Sequence, residues 1–239
     1  MKNIIYTAII DGYDELIEPS VVTKGWKYIC FTNDPNLKSN IWDIRVVEMD
    51  KYLIPTKNNR KIKIQYYRYL KEKYDLSIYI DGKIGINCNL NDFLEKNVDG
   101  LNNKNIDIFL PKHFYRDCIY QEIDMCKKIK KENKMICYFL KKFYKKENYP
   151  ENIGLHDNCL LIRRYPNNNM IQFMDKWWDM IERWSRRDQL SFGYILWKNK
   201  DLIKISTIDI DVNYNYQDGH FMDNYFTVHS HKKRWLIKD

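Results

Sequence analysis

Short apolar runs alternate with longer segments of helical period along most of the chain. Strands are predicted at residues 4–10, 28–32, 44–47, 77–80, 106–110 and 159–163, with a further candidate at 202–205. Apolar spacings of three and four predict helices at residues 59–74, 90–97, 119–147, 168–184 and 189–198. This alternation is typical of a layered α/β domain with a largely parallel sheet.

The length of 239 residues favours one large domain, and no stretch rich in Gly, Pro and Ser interrupts the pattern. We therefore expect a single domain over residues 1–239. The 44% hydrophobic content allows a sizeable core and excludes a disordered chain.

The chain carries 40 Lys and Arg against 32 Asp and Glu, a formal charge of +8. Such a surplus indicates an anionic partner but does not identify it. Much of it lies in residues 127–146, where lysines alternate with apolar residues at helical spacing. This segment is interpreted as the solvated face of an amphipathic helix, or as a surface for an anionic acceptor or a membrane.

The apolar run at residues 4–10 is too short for a signal peptide or a membrane span, so a cytoplasmic location is expected. The six cysteines form no Cys-x-x-Cys pair and no Cys/His cluster at zinc spacing. Reduced, mostly buried thiols are therefore expected.

Acidic loops follow the first two predicted strands, with Asp11 in the first and Asp34 in the second. Ligands of open α/β sheets bind outside the carboxyl ends of the strands, so both carboxylates could accept hydrogen bonds from a nucleotide. Tyr13 in the first loop offers a stacking face. Acidic turns are also common without any ligand.

Asp81, Gly82 and Lys83 follow the predicted strand at residues 77–80 directly. Many sugar-nucleotide transferases place an Asp-x-Asp at such a strand end, where it holds a divalent metal on the donor diphosphate. Lys83 replaces the second acid, which leaves two interpretations. Asp81 binds the metal with help from elsewhere, or Lys83 neutralises the phosphate and the metal is weak or absent. A simple turn at the end of the strand, without any ligand, is the structural alternative.

Other cations and imidazoles extend this candidate donor site. Arg60 and Lys63 are predicted to open a helix, where cations near the helix N-terminus favour phosphate, although a solvated helix start explains them equally well. Arg116, just after the predicted strand at residues 106–110, suits a phosphate or a sugar carboxylate. The carboxyl-terminal His229 and His231, beside Lys232, suit a metal bound to phosphate, although an exposed tail would look the same.

Asp188 and Gln189 lie in the segment Arg187 to Phe192. Ser185 and Asp188 have the Ser-x-x-acid spacing of a capping box, which would stabilise a helix start by about 1 kcal/mol without any catalytic role. A catalytic carboxylate is the alternative interpretation of Asp188.

Several of these segments together resemble a glycosyltransferase-like family that includes plant proteins of turgor regulation and mucilage synthesis. The resemblance covers most of the chain. The specific matches are RDQLSF, within SRRDQLSF at residues 185–192, and the strand that ends in Asp-Gly-Lys, SIYIDGK at residues 77–83. The amino-terminal matches at residues 6–8 and 30–33 are weaker, and further matches are His113 with RDCIYQE at residues 116–122 and residues 154–155, 162–164 and 177–178.

The resemblance implies an α/β, GT-A-like (Rossmann-like) fold with a mixed, mostly parallel sheet, and transfer of a sugar from a nucleotide donor. By position, Asp81 matches the family's acid at the donor diphosphate, His113 and Arg116 its His-x-x-Arg, and Asp188 with Gln189 its Arg-Asp-Gln. Two positions depart from the family pattern: Tyr67 stands where a His is common, and Gln121 where an acid is more frequent.

The leading hypothesis is a hexosyltransferase-type enzyme that uses a nucleotide sugar, expected to be UDP-linked, and a glycan or other hydroxyl acceptor. Asp188 and Asp81 are its candidate catalytic residues. A divalent metal, Mn²⁺ or Mg²⁺, is expected on Asp81 with His229 and His231. The alternatives are a nucleotidyl- or phosphotransferase, and a basic module that binds nucleic acid or acidic glycan. No nucleic-acid partner is expected, because no known nucleic-acid motif is found.

Overall fold

The computed structural model describes residues 3–208, 220–221 and 225–232. Ten strands are assigned: β1 (Asn3–Ile9), β2 (Trp26–Thr32), β3 (Asp43–Val46), β4 (Leu76–Ile80), β5 (Ile84–Ile86), β6 (Ile108–Pro111), β7 (Leu160–Arg164), β8 (Ile205–Ile208), β9 (His220–Phe221) and β10 (Phe226–Val228). The described residues also form six α-helices: α1 (Pro55–Ile64), α2 (Leu90–Asn97), α3 (Ile119–Lys128), α4 (Lys134–Lys146), α5 (Asn168–Arg183) and α6 (Gln189–Lys198).

Seven strands form the main sheet in the order β3-β2-β1-β4-β7-β6-β8. All neighbouring pairs are parallel except those made by β7, which runs antiparallel to both β4 and β6. The sheet is thus mixed and mostly parallel, which confirms the expected fold class. β5, β10 and β9 form a second, small antiparallel sheet.

Both faces of the main sheet are buried, as the continuous apolar runs of its central strands require. Along β1, Ile4, Tyr6 and Ala8 point to one core, and Ile5 and Ile9 to the other. The first core is covered by α1 and by α3 to α6, whereas the second is covered by α2 and the small sheet. This layering brings the carboxyl ends of β1, β2, β4 and β6 to one edge of the sheet, where the start of β7 also lies.

Three predicted elements differ from the structure. The helix predicted at residues 59–74 is instead α1, followed by a 3₁₀ turn at Tyr66–Arg68, because Pro55 takes the first helical position. The helix predicted at residues 119–147 is split into α3 and α4, since the Asn133 side chain caps a new helix. The strand predicted at residues 202–205 begins only at Ile205.

The cysteine prediction is confirmed, because all six thiols are free and buried. None of the helices in the described part of the chain is both long and apolar enough to cross a bilayer.

Candidate active site at the carboxyl edge of the sheet

Two cations of α1 enter the interior at the edge of the main sheet. Arg60 and Lys63 are three residues apart, so they lie on the same helix face. The Lys63 side chain is only 1% exposed and lies over the ring of Tyr79, with its ammonium 4.8 Å from the ring centre. A lysine this deeply buried requires anionic partners.

Two carboxylates are the anionic partners of Lys63. Asp81 directly follows β4, and Asp188 takes the N-cap position of α6. The Lys63 ammonium lies 2.5 Å from Asp188 Oδ2 and 3.5 Å from Asp81 Oδ1, and Arg60 Nε lies 3.3 Å from Asp188 Oδ1. The Tyr79 hydroxyl donates to Asp81 Oδ1 at 3.0 Å. We call Arg60, Lys63, Asp81 and Asp188 the ion cluster.

The surroundings of the ion cluster keep both acids ionised. Burial by itself would raise the pKa of Asp188, but Arg60, Lys63 and Arg187 outweigh it and hold that pKa below its ordinary value. The pKa of Asp81 is lowered in the same way by Lys63 and Arg60, against the effect of burial. The pKa of Arg60 is raised by these acids although its burial opposes this. The cluster therefore holds fixed charges at neutral pH.

Two local interpretations from the sequence are wrong. Because α1 begins at Pro55, Arg60 and Lys63 lie in its later turns and not at a helix N-terminus, so they act through side-chain ion pairs. The Ser185–Asp188 capping box is not formed. The Ser185 hydroxyl donates to Glu132 at 2.5 Å, while Asp188 is itself the N-cap residue and accepts from the Gln189 N–H at 3.1 Å.

The Asp81-Gly82-Lys83 turn is covered by the first loop of the chain. A Cβ atom on Gly82 would lie 3.0 Å from Asp14 Oδ2 and 3.1 Å from the Ile9 side chain, so a larger residue would require these neighbours to move by a few tenths of an ångström. Asp14 in turn bonds His231 Nδ1 at 2.6 Å. The His231 ring packs 4.7 Å from the ring of Tyr13.

The small sheet explains why the carboxyl-terminal histidines lie near this turn. β10 pairs antiparallel with β5, which follows the turn directly, and the His229 N–H donates to the Lys83 carbonyl at 2.8 Å. The His229 ring lies against Gly85. Lys232 is exposed and lies 3.7 Å from Glu15. The topology thus brings the residues proposed as metal ligands to one end of the small sheet.

A second polar cluster follows β6. The Glu122 carboxylate, buried on α3, accepts from Arg116 Nε at 2.6 Å and lies 3.6 Å from His113 Nε2. His113 Nδ1 accepts from the backbone N–H of Tyr115 and of Arg116. Burial lowers the pKa of His113, although Glu122 opposes this. His113, Arg116 and Glu122 therefore form one unit.

Sequence reasoning passed over Glu122. It singled out Gln121 as a position that lacks a carboxylate, but Gln121 is exposed, whereas the adjacent Glu122 is buried and pairs with Arg116 and His113. A signal was present: Glu122 falls on the apolar stripe of α3 with Ile119, Ile123 and Cys126. A charged residue on a buried helix face needs a partner or a function.

Residues 187–189 join the two clusters. Arg187 acts electrostatically on Asp188 and on His113, and the charges of Asp188 and Glu122 both raise its own pKa against the effect of burial. Gln189 Nε2 donates to the His156 carbonyl at 3.3 Å. The RDQ segment therefore lies between the ion cluster and the Glu122 cluster.

The two acidic loops predicted for a nucleotide are neighbours. Asn33 Oδ1 accepts from the Asp11 N–H at 2.8 Å and so links the loop after β1 to the loop after β2. Asp11 and Asp34 are both exposed at this edge. Their role in donor binding stays a prediction.

Tyr67, the other departure from the family pattern, lies in the 3₁₀ turn after α1, and its hydroxyl donates to Asp175 of α5, a helix of the first core. A surface groove of about 440 Å³ lies between α4, α5 and the second half of α6. Its lining includes Phe143, Trp184 and Lys198 but no member of the ion cluster. The ion cluster and the cluster of His113, Arg116 and Glu122 therefore both lie outside this groove.

Comparisons with known proteins agree with this architecture. The chain is 24% identical over 219 residues to the Arabidopsis thaliana protein described as probable hexosyltransferase MUCI70, covering 80% of this chain but only 36% of that relative. The crystal structure of mouse xyloside xylosyltransferase 1 in its apo form superposes with a TM-score of 0.50 at 8% identity, over 96% of this chain and 94% of that one. At this identity the likeness concerns the fold alone. The family model of the TOD1/MUCI70 glycosyltransferase-like domain matches residues 1–218, so the chain belongs to that family.

Proposed function

We propose that this protein is a glycosyltransferase that moves a hexosyl-type sugar from a nucleotide-sugar donor to a hydroxyl group of a glycan or other acceptor. The ion cluster at the carboxyl edge of the sheet carries this proposal, because that edge is where ligands of open α/β folds bind. Charged groups that are held in place before the substrate arrives can stabilise a transition state without reorganising. Family membership and the description of the plant relative as a probable hexosyltransferase support the same reaction class.

The balance of charge around Asp81 suits a donor diphosphate. Arg60, Lys63, Lys83 and Arg187 provide four cations against the carboxylates of Asp81 and Asp188. Counting the carboxylate of Asp14 as well, the region still has a surplus of positive charge. An anionic leaving group bound here would therefore gain electrostatic stabilisation as its charge develops.

The low pKa of Asp188 favours a role in electrostatic stabilisation over a role as a general base. A carboxylate whose pKa is held low by buried cations is a poor general base at neutral pH. It can, however, stabilise the positive charge that develops on the sugar ring as the donor bond breaks. We therefore propose Asp188 as the electrostatic partner of the reacting sugar and Asp81 as the residue that orders the cations at the donor diphosphate.

Divalent metals are common cofactors of this fold, and the sequence predicts one on Asp81, His229 and His231. Among the described residues, no three His, Cys, Asp or Glu side chains are gathered for a metal ion. Asp81 already faces Lys63 and Arg60, His231 bonds Asp14, and buried Lys83 stands where a second acid would be. The described residues therefore do not fit a preformed metal centre, and they favour Lys83 as the phosphate countercharge.

A panel of nucleotide sugars, beginning with UDP-linked hexoses, tests the proposal by thermal shift and by slow donor hydrolysis. Ligand at ~100 times its dissociation constant should stabilise the fold by about 2.7 kcal/mol. Arg60→Gln should abolish this shift, whereas Lys61→Gln on the same helix should retain it, because Lys61 pairs with Asp50 instead. Absence of a shift and of turnover with every nucleotide sugar would contradict the proposal.

The same assay with a strong chelator and with added Mn²⁺ decides the metal question. Donor binding that survives chelation supports Lys83 as the countercharge, and Lys83→Gln should then weaken donor binding. Donor binding that is lost on chelation and restored by Mn²⁺ supports the metal prediction for Asp81.

A further inference from the structure

The positive charge of the chain is concentrated in one helical hairpin. Residues 127–146, which comprise the end of α3, the connecting loop and α4 up to its last residue, contain nine lysines and a single acid, Glu132. Their local charge of +8 equals the net charge of the whole chain, so the remaining residues are balanced overall. We call this segment the basic hairpin.

The basic hairpin also exposes apolar side chains on its outer face. Cys137, Leu140 and Tyr144 of α4 pack into the core, whereas Met135, Tyr138 and Phe139 point away from it. Met135 and Tyr138 are 58% and 57% exposed and Phe139 is 45% exposed. These three residues follow helical spacing on the solvent side, and the rings of Tyr138 and Phe139 are in contact. Isolated exposed apolar residues are ordinary, but an apolar cluster on a strongly charged helix is typical of an interaction surface.

On the same face of α4, lysines follow the exposed aromatic residues. Lys142, Lys145 and Lys146 are exposed on the later turns of α4, beyond the aromatic residues. Lysines in the last turn also stabilise the helix dipole, which accounts for their presence at the helix end but not for the exposed rings before them. Rings beside lysines match the two layers of an anionic membrane surface, where acyl chains begin just below charged headgroups.

We propose that the basic hairpin binds the surface of a bilayer that contains anionic lipids, with Tyr138 and Phe139 entering the headgroup region. The charge of the hairpin selects this occupant over a neutral partner. The hairpin contacts the helix that Asp188 caps, because the Tyr144 hydroxyl of α4 donates to the Leu190 carbonyl of α6 at 2.6 Å. Membrane binding through α4 would thus hold α6, and with it Asp188 of the ion cluster, near the lipid surface. This inference does not depend on the proposed glycosyltransferase activity.

Sedimentation of the full chain with vesicles tests this proposal. Vesicles of phosphatidylcholine with phosphatidylglycerol should bind the protein at low salt, and vesicles of phosphatidylcholine alone should not. Each lysine removed should weaken partitioning about fivefold, so a Lys142→Gln, Lys145→Gln, Lys146→Gln variant should bind about 100-fold more weakly. A Tyr138→Ser, Phe139→Ser variant should also lose binding, because it removes the inserted rings.

Matched controls change exposed residues outside the hairpin. The charge control neutralises Lys24, Lys71 and Lys73, and the aromatic control is Tyr52→Ser, at a residue that is 86% exposed. All variants should melt like the parent, since only exposed side chains change, and both controls should bind vesicles like the parent. Equal binding by hairpin and control variants overturns the proposal. Binding to heparin or an oligonucleotide without any binding to vesicles overturns it as well, in favour of a soluble polyanion.

Discussion

The Lys63 ammonium lies 2.5 Å from the Asp188 carboxylate, although 125 residues separate them. Both side chains are almost completely buried. Removing one member of a buried ion pair leaves an uncompensated charge, which typically costs about 3–5 kcal/mol. In this pair the cost is reduced, because Arg60 also contacts Asp188 and Asp81 also faces Lys63.

Asp188→Asn should impair both stability and the proposed reaction. We expect a loss of roughly 2–3 kcal/mol in the free energy of unfolding, because Lys63 loses its nearest anion. We also expect kcat to fall about 100-fold, equivalent to ~2.7 kcal/mol of transition-state stabilisation, with donor affinity nearly unchanged. Denaturant titration and steady-state kinetics below the unfolding temperature measure the two effects separately.

The control for this variant is Asp50→Asn, which breaks the half-buried pair between Asp50 and Lys61 of α1, the helix that carries Lys63. It should change the stability by less than about 1 kcal/mol and leave kcat unaltered. Turnover by Asp188→Asn within a few-fold of the parent would restrict Asp188 to a structural role.

Glu122→Gln should change the titration of His113. Because the Glu122 charge raises the pKa of His113 against burial, its removal should lower that pKa further. NMR titration of the His113 ring measures the change. Gln121→Ala, at the adjacent exposed position, is the control and should leave the titration as in the parent. A His113 pKa that rises in Glu122→Gln would contradict the assigned pairing.

His156 should make stability depend on pH. Burial, with a smaller effect of Lys112, lowers its pKa to about 4, against about 6.5 in an unfolded chain. The unfolded state therefore takes up the proton first, and this contribution to stability is lost as the pH falls from about 6.5 to about 4. The loss should total about 3 kcal/mol.

Denaturant titrations at several pH values between about 4 and 6.5 measure the free energy of unfolding. Its slope against pH should be shallower for His156→Gln than for the parent. Part of the slope should persist, because the pKa of His113 is also lowered. An unchanged slope in His156→Gln would assign the pH dependence to other groups.

Gly82→Ala should disturb the contact between the first loop and the Asp-Gly-Lys turn. The new methyl group would lie 3.0 Å from Asp14 Oδ2 and 3.1 Å from the Ile9 side chain, which is closer than ordinary van der Waals contact. We therefore expect a loss of about 1–2 kcal/mol in the free energy of unfolding. The double variant Asp14→Ala, Gly82→Ala should be less destabilised than the sum of the single variants, since the first change makes room for the second. Strict additivity would argue against this packing.

The sequence alone determined the fold class, because the periods of its apolar residues are local. Buried strands such as β1 and β4 appear as continuous apolar runs, and α2 and α6 were predicted with their observed bounds. The short strands β5 and β10 were missed, since each has only three residues and forms through pairing with the other. The split between α3 and α4 depended on one capping side chain within a long amphipathic pattern.

For the site, sequence motifs identified Asp81, Asp188, His113 and Arg116 as candidates, but only the tertiary structure decided how they are paired. Spacing along the chain cannot show that Lys63 reaches across the sheet edge to Asp188, because this contact depends on how α1 and α6 pack. The same holds for Glu122, whose importance follows from its burial beside Arg116. Secondary structure is encoded locally by periodicity, whereas the partners of buried charges are set by long-range packing in which each charge must be neutralised.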